Sequence, residues 1–243
     1  VATCDPILAS RYLCEAIGQR TSSIVGLTLN YNTLNSRLRP TSGETISWTT
    51  ELAGLGGDVK YARSRARAGT YRPVGGGFIF SVTGEGGWIR SLEDNDVAGQ
   101  DDVRLTDRFF LGEPQMRGFD IRGVGPRIVR LQYLDDDNDA ATPRVSQTIE
   151  EALASDSRVD DALGGKAYYL GRAELEIPLG SGAREMGLRP SIFLDVGSLF
   201  SVTRPVLQDY PDGLQATDGD GNLLYEQPGV NAEGKEITLQ VTN

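Results

Sequence analysis

The chain has 243 residues, of which 24 are Lys or Arg and 34 are Asp or Glu, so its formal net charge is −10, and it contains no His. Without His, catalysis by a His general base and metal binding by His are excluded, and the negative charge is unfavourable for nucleic-acid binding, which depends on Lys and Arg that neutralise phosphates. No apolar run approaches the roughly 18 residues of a membrane-spanning helix, and 30 Gly residues along the chain argue against a helical bundle. We therefore expect no metal, no cofactor and no nucleic-acid partner.

Two cysteines, Cys4 and Cys14, lie ten residues apart in the opening segment. Two thiols cannot form a structural zinc site without His or further Cys. A disulfide between them fits an oxidising compartment such as a periplasm or a cell surface, and two free, half-buried cysteines are the alternative. The chain opens with VATCDP, so we expect a piece of a longer protein, and the lack of a targeting segment says nothing about location.

Six segments are predicted as long strands because apolar side chains alternate with small or polar ones. They are residues 24–32, 44–52, 57–69, 77–90, 167–178 and 187–197. In the third segment, the phase that begins with Val59 and Tyr61 continues into three arginines. These arginines, Arg63, Arg65 and Arg67, are expected at or beyond a polar rim. Gly- and Pro-rich turns between most neighbouring segments predict an antiparallel up-and-down sheet.

Strand length and charge favour a transmembrane β-barrel. Strands of about 9–11 residues match a tilted membrane crossing, whereas strands of soluble proteins average about 5–6 residues. The polar face carries charges in mid-strand, as in a water-filled lumen: Glu85, Arg172, Glu174, Glu176 and Asp195. A soluble sandwich also alternates and stays an alternative.

The connections between the predicted strands are unequal in length. Most are short turns, but residues of about 91–164 join two strands, and so long a loop is commonly functional or disordered. Outer-membrane barrels have short turns on the periplasmic side and long loops outside. By strand parity, the Cys4–Cys14 segment, the turn at 53–58 and the long loop are expected outside, and the turns near 40, 74 and 182 in the periplasm.

The long loop contains DRFFLGEPQMRGFDIRGVGPR, residues 107–127. Four glycines allow sharp turns with positive φ: Gly112, Gly118, Gly123 and Gly125. Three phenylalanines are apolar side chains too costly to leave in water: Phe109, Phe110 and Phe119. The segment is therefore expected to be folded against or into the barrel.

Arg117 is the charged residue between Glu113 and Asp120 in this loop. Inside a lumen it needs a carboxylate, since an unpaired buried charge costs several kcal/mol. By alternation Glu174, Glu176 and Asp195 point inward and could accept its guanidinium. The alternative is a solvated Arg117 and acids that merely hydrate a pore.

Five successive stretches resemble barrel segments of the BamA superfamily, whose members fold and insert other outer-membrane proteins. They are NYNTLNSRLRPTSG, ELAGLGGDVKYARS, DRFFLGEPQMRGFDIRGVGPR, GGKAYYLGRAELEIPLG and GLRPSIFLDVGSLF, in the order of the family. The resemblance covers roughly residues 20–200 and is nearest in style to alphaproteobacterial members. It implies that residues 1–243 are the central-to-C-terminal part of one sixteen-stranded barrel, holding its eighth to thirteenth strands, with the POTRA domains and terminal strands outside this sequence.

The resemblance also implies a role for the loop. Arg117, Gly118 and Phe119 match the family's Arg-Gly-Phe core, whose arginine reaches into the barrel and pairs with acids of the inner wall. The matching acids here are Glu176, in AELEIP, and Asp195, in FLDVG.

From this resemblance we expect an outer-membrane protein assembly factor and no enzyme. It would fold and insert β-barrel proteins into the bacterial outer membrane, and this part would form the wall and the lumen-inserted loop. The implied partners are nascent outer-membrane proteins, outer-membrane lipid and, through the POTRA domains, accessory Bam lipoproteins. A transporter of the same superfamily, TamA-like or a two-partner secretion pore, is the alternative, and a plain porin or a soluble binding module is a further one.

Overall fold

The structure is a computed structural model that describes residues 18–93, 101–130, 133–134, 145–146, 159–179 and 188–203, and four short strands nearer the C-terminus. The predicted Cys4–Cys14 disulfide lies outside these residues and stays a prediction. Among the described residues, no helix is long and apolar enough to span a membrane. The part of the chain that the structure describes contains one 3₁₀ turn, at Leu105–Asp107.

The described strands, in chain order, are β1 (Ile24–Asn32), β2 (Gly43–Ala53), β3 (Tyr61–Gly75), β4 (Phe78–Ser91), β5 (Arg127–Arg130), β6 (Tyr133–Leu134), β7 (Val145–Ser146), β8 (Val159–Ala162), β9 (Ala167–Glu176), β10 (Ser191–Phe200), β11 (Gln208–Asp209), β12 (Leu214–Gln215), β13 (Leu224–Val230) and β14 (Glu236–Thr242). Six of them form one sheet in the order β1-β2-β3-β4-β9-β10, and the others form two-stranded pairs. Every pairing in the large sheet is antiparallel. The predicted all-β, up-and-down fold is confirmed, as a partial barrel that does not close within the described residues.

The bounds of β3 differ most from the prediction of 57–69. The strand begins at Tyr61 and continues to Gly75, with a register shift between Pro73 and Gly75. It extends because β2 and β4 pair with it along nearly its whole length, and such pairing outweighs a weak local alternation of apolar and polar residues.

One face of the sheet is apolar and exposed. Its large side chains are between 40% and 66% exposed on β1, β2, β4, β9 and β10: Val25, Leu27, Leu29, Tyr31, Ile46, Trp48, Leu52, Phe80, Val82, Trp88, Tyr169, Ile192, Leu194 and Val196. A contiguous apolar face of this size is rare on soluble monomers. It is the surface that a barrel presents to hydrocarbon.

Arg63, Arg65 and Arg67 of β3 lie on the opposite, inner face, within the first half of the strand. Arg63 Nε donates to Glu51 Oε2 at 2.7 Å, and Arg67 Nε lies 3.2 Å from Glu85 Oε2. The expectation that they sit at or beyond a polar rim is wrong. The reason is the register, which sets Arg63 opposite Glu51 of β2 and Arg67 opposite Glu85 of β4, so each of these two charges has a partner on the next strand. Arg65 instead lies near the ring of Phe109.

The two rims of the sheet carry different connections. One, here the turn rim, holds the turns at 33–42 and 76–77 and the β9–β10 connection. The other, the loop rim, holds the turn at 54–60 and the long β4–β9 connection. The parity predicted from the sequence matches this distribution, and the side of the membrane that each rim faces stays a prediction.

The hydrophobic core lies between the inner face near the loop rim and the inserted part of the long connection. It combines wall residues with loop residues: Ala53, Val59, Tyr61, Ile89 and Leu199 with Val103, Phe109, Leu111 and Met116. Val59 and Tyr61 therefore belong to the inner face, where the loop covers them. The inserted loop therefore takes the place of water over the part of the inner face near the loop rim.

Candidate functional site

Residues 101–128 of the long connection fold back over the inner face of the sheet. Phe109 forms a backbone bridge with Gly165, and Leu111 forms one with Val124. These bridges make the segment a compact hairpin-like unit. The expectation of a loop folded against the barrel wall is met by this arrangement.

Two glycines of the loop illustrate different steric needs. Gly118 has φ +84°, a conformation that residues with a Cβ rarely adopt, and it turns the chain directly after Arg117. Gly123 lacks the positive φ that was expected; a Cβ there would lie 2.8 Å from the carbonyl oxygen of Asp120. Gly112 and Gly125 have positive φ as expected.

Arg117 forms a bidentate ion pair with Asp195 of β10. Its Nε donates to Oδ2 at 3.0 Å and its Nη2 to Oδ1 at 3.0 Å, and its backbone N–H lies 3.4 Å from Oδ2. Its Nη1 donates to Glu174 Oε2 of β9 at 3.3 Å. The hydrogen bond to Asp195 raises the pKa of Arg117, so the guanidinium stays charged.

An aromatic ring completes the guanidinium's surroundings. The Cζ atom of Arg117 lies 3.3 Å from the ring centroid of Phe193, a stacking arrangement that favours a cation over the ring face. Phe193 and Asp195 are two residues apart on β10 and so share its inner face. Phe119, by contrast, is 44% exposed, although it was expected to be buried, because the described residues cover it only in part.

Glu176 does not contact Arg117. Its Oε1 accepts a hydrogen bond from Arg189 Nε at 3.0 Å, and its Oε2 accepts one from Arg189 Nη2. The expected pair of Arg117 and Glu176 is therefore replaced by Arg117 and Glu174. Both acids point inward, but Glu176 is paired with Ser191 at the turn-rim end of β9, beyond the guanidinium's reach.

Asp195 has a second arginine partner, Arg172 of β9. Arg172 Nε donates to Oδ1 at 2.8 Å and Nη2 to Oδ2 at 3.2 Å. The Asp195 side chain is 4% exposed between the two cations. Arg172 Nη2 also donates to the backbone carbonyl of Gln115, in the loop, at 2.9 Å. Sequence reasoning placed Arg172 on the polar face without a role, because an arginine in mid-strand is also what a water-filled pore displays.

Phe109 is the buried aromatic residue of the loop. Its ring centroid lies 4.8 Å from that of Tyr168, and Arg65 Cζ lies 5.0 Å from it. The Tyr168 hydroxyl donates to Glu85 Oε1 at 2.6 Å. The Phe109 ring thus holds the loop to β3 and β9, and Tyr168 in turn bonds to β4, by contacts independent of Arg117.

A buried ionic cluster lies where the loop leaves and rejoins the wall. Asp101, with a side chain 1% exposed, lies 3.0 Å from Lys166 Nζ through Oδ1 and 3.9 Å from Arg108 Nη2 through Oδ2. Its Oδ2 accepts the N–H of Thr203 at 2.8 Å, and Oδ1 that of Val103 at 3.2 Å. The cluster joins the start of the loop, its end and the chain after β10.

The charge balance of Asp101 favours its ionised form. Burial by itself raises the pKa of this carboxyl, but the Thr203 N–H, the Arg108 charge and the Val103 N–H outweigh burial, and the pKa lies below its usual value. Sequence reasoning missed the cluster. In the sequence, QDDVRLTDR is indistinguishable from a solvated acidic loop, and Lys166 and Thr203 are distant along the chain.

The inner side nearer the turn rim holds a cavity of about 680 Å³. Its lining includes hydroxyl side chains and the Arg67–Glu85 and Arg189–Glu176 pairs. The half of the inner face near the loop rim is thus filled by the loop, and the half near the turn rim is polar and open.

Comparison with known proteins identifies relatives of this chain. The model of the Omp85 superfamily domain matches residues 6–216. The outer membrane protein assembly factor BamA of Neorickettsia risticii (strain Illinois) is 28% identical over 225 residues, covering 88% of this chain and 24% of that protein. The sorting and assembly machinery component 50 homolog of Mus musculus is 26% identical over 188 residues, covering 75% of this chain and 32% of that protein.

A solved structure shares the fold. The crystal structure of BamA from Haemophilus ducreyi lacking POTRA domains 1–3 superposes with a TM-score of 0.54 at 21% identity, covering 73% of this chain and 30% of that one. The present chain thus spans a third or less of each of these three proteins. With the antiparallel partial barrel and a family match over most of its length, the chain belongs to the Omp85 superfamily and forms part of a BamA-type barrel.

Proposed function

We propose that this chain is the central wall of the barrel of an outer-membrane protein assembly factor, with a lumen-inserted Arg-Gly-Phe loop. The whole protein would fold β-barrel proteins and insert them into the bacterial outer membrane. In hydrocarbon every backbone N–H and C=O needs a hydrogen-bond partner. A nascent strand is therefore stabilised most by a protein that offers such partners while the strand enters the lipid. The role needs no bond-making chemistry.

One observation carries the proposal. Arg117 of the loop is joined to Asp195 by two side-chain hydrogen bonds of 3.0 Å, and to Glu174 by a third. Because paired charges hold the loop on the inner wall, this wall serves as a stable frame. The assembly function of the relatives, as their names state it, supports the same role for the full-length protein.

Partners and location follow from the same proposal. The clients would be nascent outer-membrane proteins, and accessory Bam lipoproteins would bind through POTRA domains outside this sequence. The exposed apolar face of the sheet would contact outer-membrane lipid.

The test uses the full-length protein in liposomes and a urea-denatured eight-stranded outer-membrane protein as the client. The folded client migrates faster in unheated gels, so the folded fraction is read directly. We expect faster client folding than in empty liposomes, and a several-fold loss with Arg117→Ala. Arg37→Ala is the matched control, because Arg37 is exposed in the turn at 33–42.

The loop itself is tested by limited proteolysis of the same variants. Chymotrypsin is suitable because its sites do not include the replaced arginine. Arg117→Ala should raise cleavage within 107–127, while Arg37→Ala should not. Equal client folding with and without the protein would reject the assembly function, and a secreted polypeptide that becomes protease-protected inside the liposomes would favour the transporter. Unchanged proteolysis together with unchanged client folding in Arg117→Ala would reject the role of Arg117.

A further inference from the structure

Arg172 links the wall to the loop through two different kinds of acceptor. Its Nε and Nη2 bind both oxygens of Asp195, at 2.8 and 3.2 Å. Its Nη2 also reaches the carbonyl oxygen of Gln115 at 2.9 Å. A backbone acceptor makes the second contact independent of the side chain at position 115, and Gln115 lies two residues before Arg117.

The charges of this site balance as two arginines and two acids. Arg117 and Arg172 both bind Asp195, and Arg117 also binds Glu174. Because the Asp195 side chain is 4% exposed, each arginine reduces the cost of its burial. With Arg172 present, Asp195 keeps one cation even when Arg117 is absent.

The geometry around Asp195 is fixed by the pair rather than by Arg117 alone. Two planar guanidinium groups bind the same carboxylate through two nitrogens each, which restricts its rotation. Arg172 reaches Asp195 within the wall, because register sets these two residues directly opposite each other on β9 and β10. The wall strands therefore hold the Asp195 carboxylate in a fixed orientation toward the loop.

We propose that Arg172 is a positioning residue of the loop site: it orients Asp195 for Arg117 and holds the loop backbone at Gln115. The inference rests on the proposed function for its biological meaning, since it deepens the description of the same site. Arg117 and Arg172 then act as two partly redundant attachments. Loss of either loosens the loop, and loss of both leaves Asp195 buried without a cation.

The experiment measures amide hydrogen exchange of the full-length protein in detergent, with mass spectrometry of peptides from 112–120 and from the wall strands. Arg172→Met keeps an aliphatic stem of similar length. The matched control is Arg189→Met, which removes an arginine from an ion pair with Glu176 on the same wall. Among the described residues, Arg189 has no hydrogen bond or ion pair to the loop.

We expect Arg172→Met to speed exchange in 112–120 by about tenfold, as for the loss of one set of charge-assisted hydrogen bonds, with the wall peptides unchanged. Arg189→Met should leave 112–120 at the wild-type rate. The combination of Arg117→Ala with Arg172→Met should exceed the product of the two single effects, because the groups share one acceptor.

Arg172→Lys keeps the charge but not the planar fork, so it should give an intermediate rate, and it serves if Arg172→Met does not fold. A rate in 112–120 equal to that of wild type in either Arg172 variant, or equal to that of Arg189→Met, would overturn the proposal. Failure of client folding by the wild-type protein would reject the assembly function while leaving this exchange result valid.

Discussion

Arg117 and Asp195 lie 78 residues apart in the chain, yet two hydrogen bonds of 3.0 Å join their side chains. The contact connects the middle of the long loop to the inner face of β10. Because both oxygens of the carboxylate and two nitrogens of the guanidinium take part, it fixes direction as well as distance. The loop is therefore oriented on the wall by a specific pair.

Replacing the shared acid should be more damaging than replacing either arginine. Asp195→Ala removes the acid that Arg117 and Arg172 share and leaves Glu174 as the acid of Arg117, so we expect loop attachment to weaken by about 3 kcal/mol, as for a broken buried pair. Hydrogen exchange of 112–120 measures this loss. Glu176→Ala, which breaks the pair with Arg189, is the control, and equal effects of the two variants would contradict the special position of Asp195.

Burial of one aromatic ring should stabilise the loop independently of the charges. Phe109 is 5% exposed and contacts Tyr168 and Arg65, so Phe109→Ala should cost about 3–5 kcal/mol by cavity formation. Phe119→Ala should cost far less in loop attachment to this wall, since Phe119 is half exposed. Thermal unfolding with exchange of 101–111 tests the contrast. A larger effect at Phe119 would show that another wall covers that side of the loop.

Backbone conformation should restrict one glycine near the end of the loop. Gly125 has φ +116°, and a Cβ there would lie 2.7 Å from Leu199 Cδ2, so Gly125→Ala should destabilise the loop by about 1–3 kcal/mol. Gly84→Ala is the control, because a Cβ at Gly84 meets no atom within 4 Å. Equal proteolytic rates for the two variants would show that the loop adjusts without cost.

The Asp101 cluster should resist mild acid. The pKa of Asp101 is lower in the folded protein than its usual value of about 3.9. Its contribution to stability is therefore complete above that value and is lost as the pH falls through the folded pKa. We expect constant protection of 101–108 from pH 7 to about pH 5, and loss below about pH 4. Asp101→Asn should weaken protection at every pH and reduce its acid dependence; an unchanged pH profile would contradict this role.

The predicted disulfide of Cys4 and Cys14 is tested apart from the loop. Mass analysis of the full-length protein under non-reducing conditions should show a peptide pair linked through the two thiols, which reduction separates. Two alkylated peptides without reduction would instead indicate free cysteines.

The wall strands were predictable because alternation is a local signal, although it is weak in β3, whose bounds depend on its neighbours. In β1, apolar residues alternate strictly with small or polar ones, so each kind occupies one face of the strand. The predicted bounds 24–32 are those observed. Alternation also assigned Asp195 and Glu174 to the inner face, since a strand has only two faces. These features depend on residues a few positions apart, and so the amino-acid sequence by itself determined them.

Tertiary structure decided which charges meet. Alternation places Glu174 and Glu176 on the same face and does not distinguish them. Only the register of β9 with β10 determines that Glu176 pairs with Arg189 and Glu174 with Arg117. The same holds for Arg63 and Arg67, whose acids stand on neighbouring strands, and for Asp101, two of whose partners, Lys166 and Thr203, come from distant segments. Long-range pairing depends on where the backbone brings the strands and loop together, and no local pattern of residues encodes that distance.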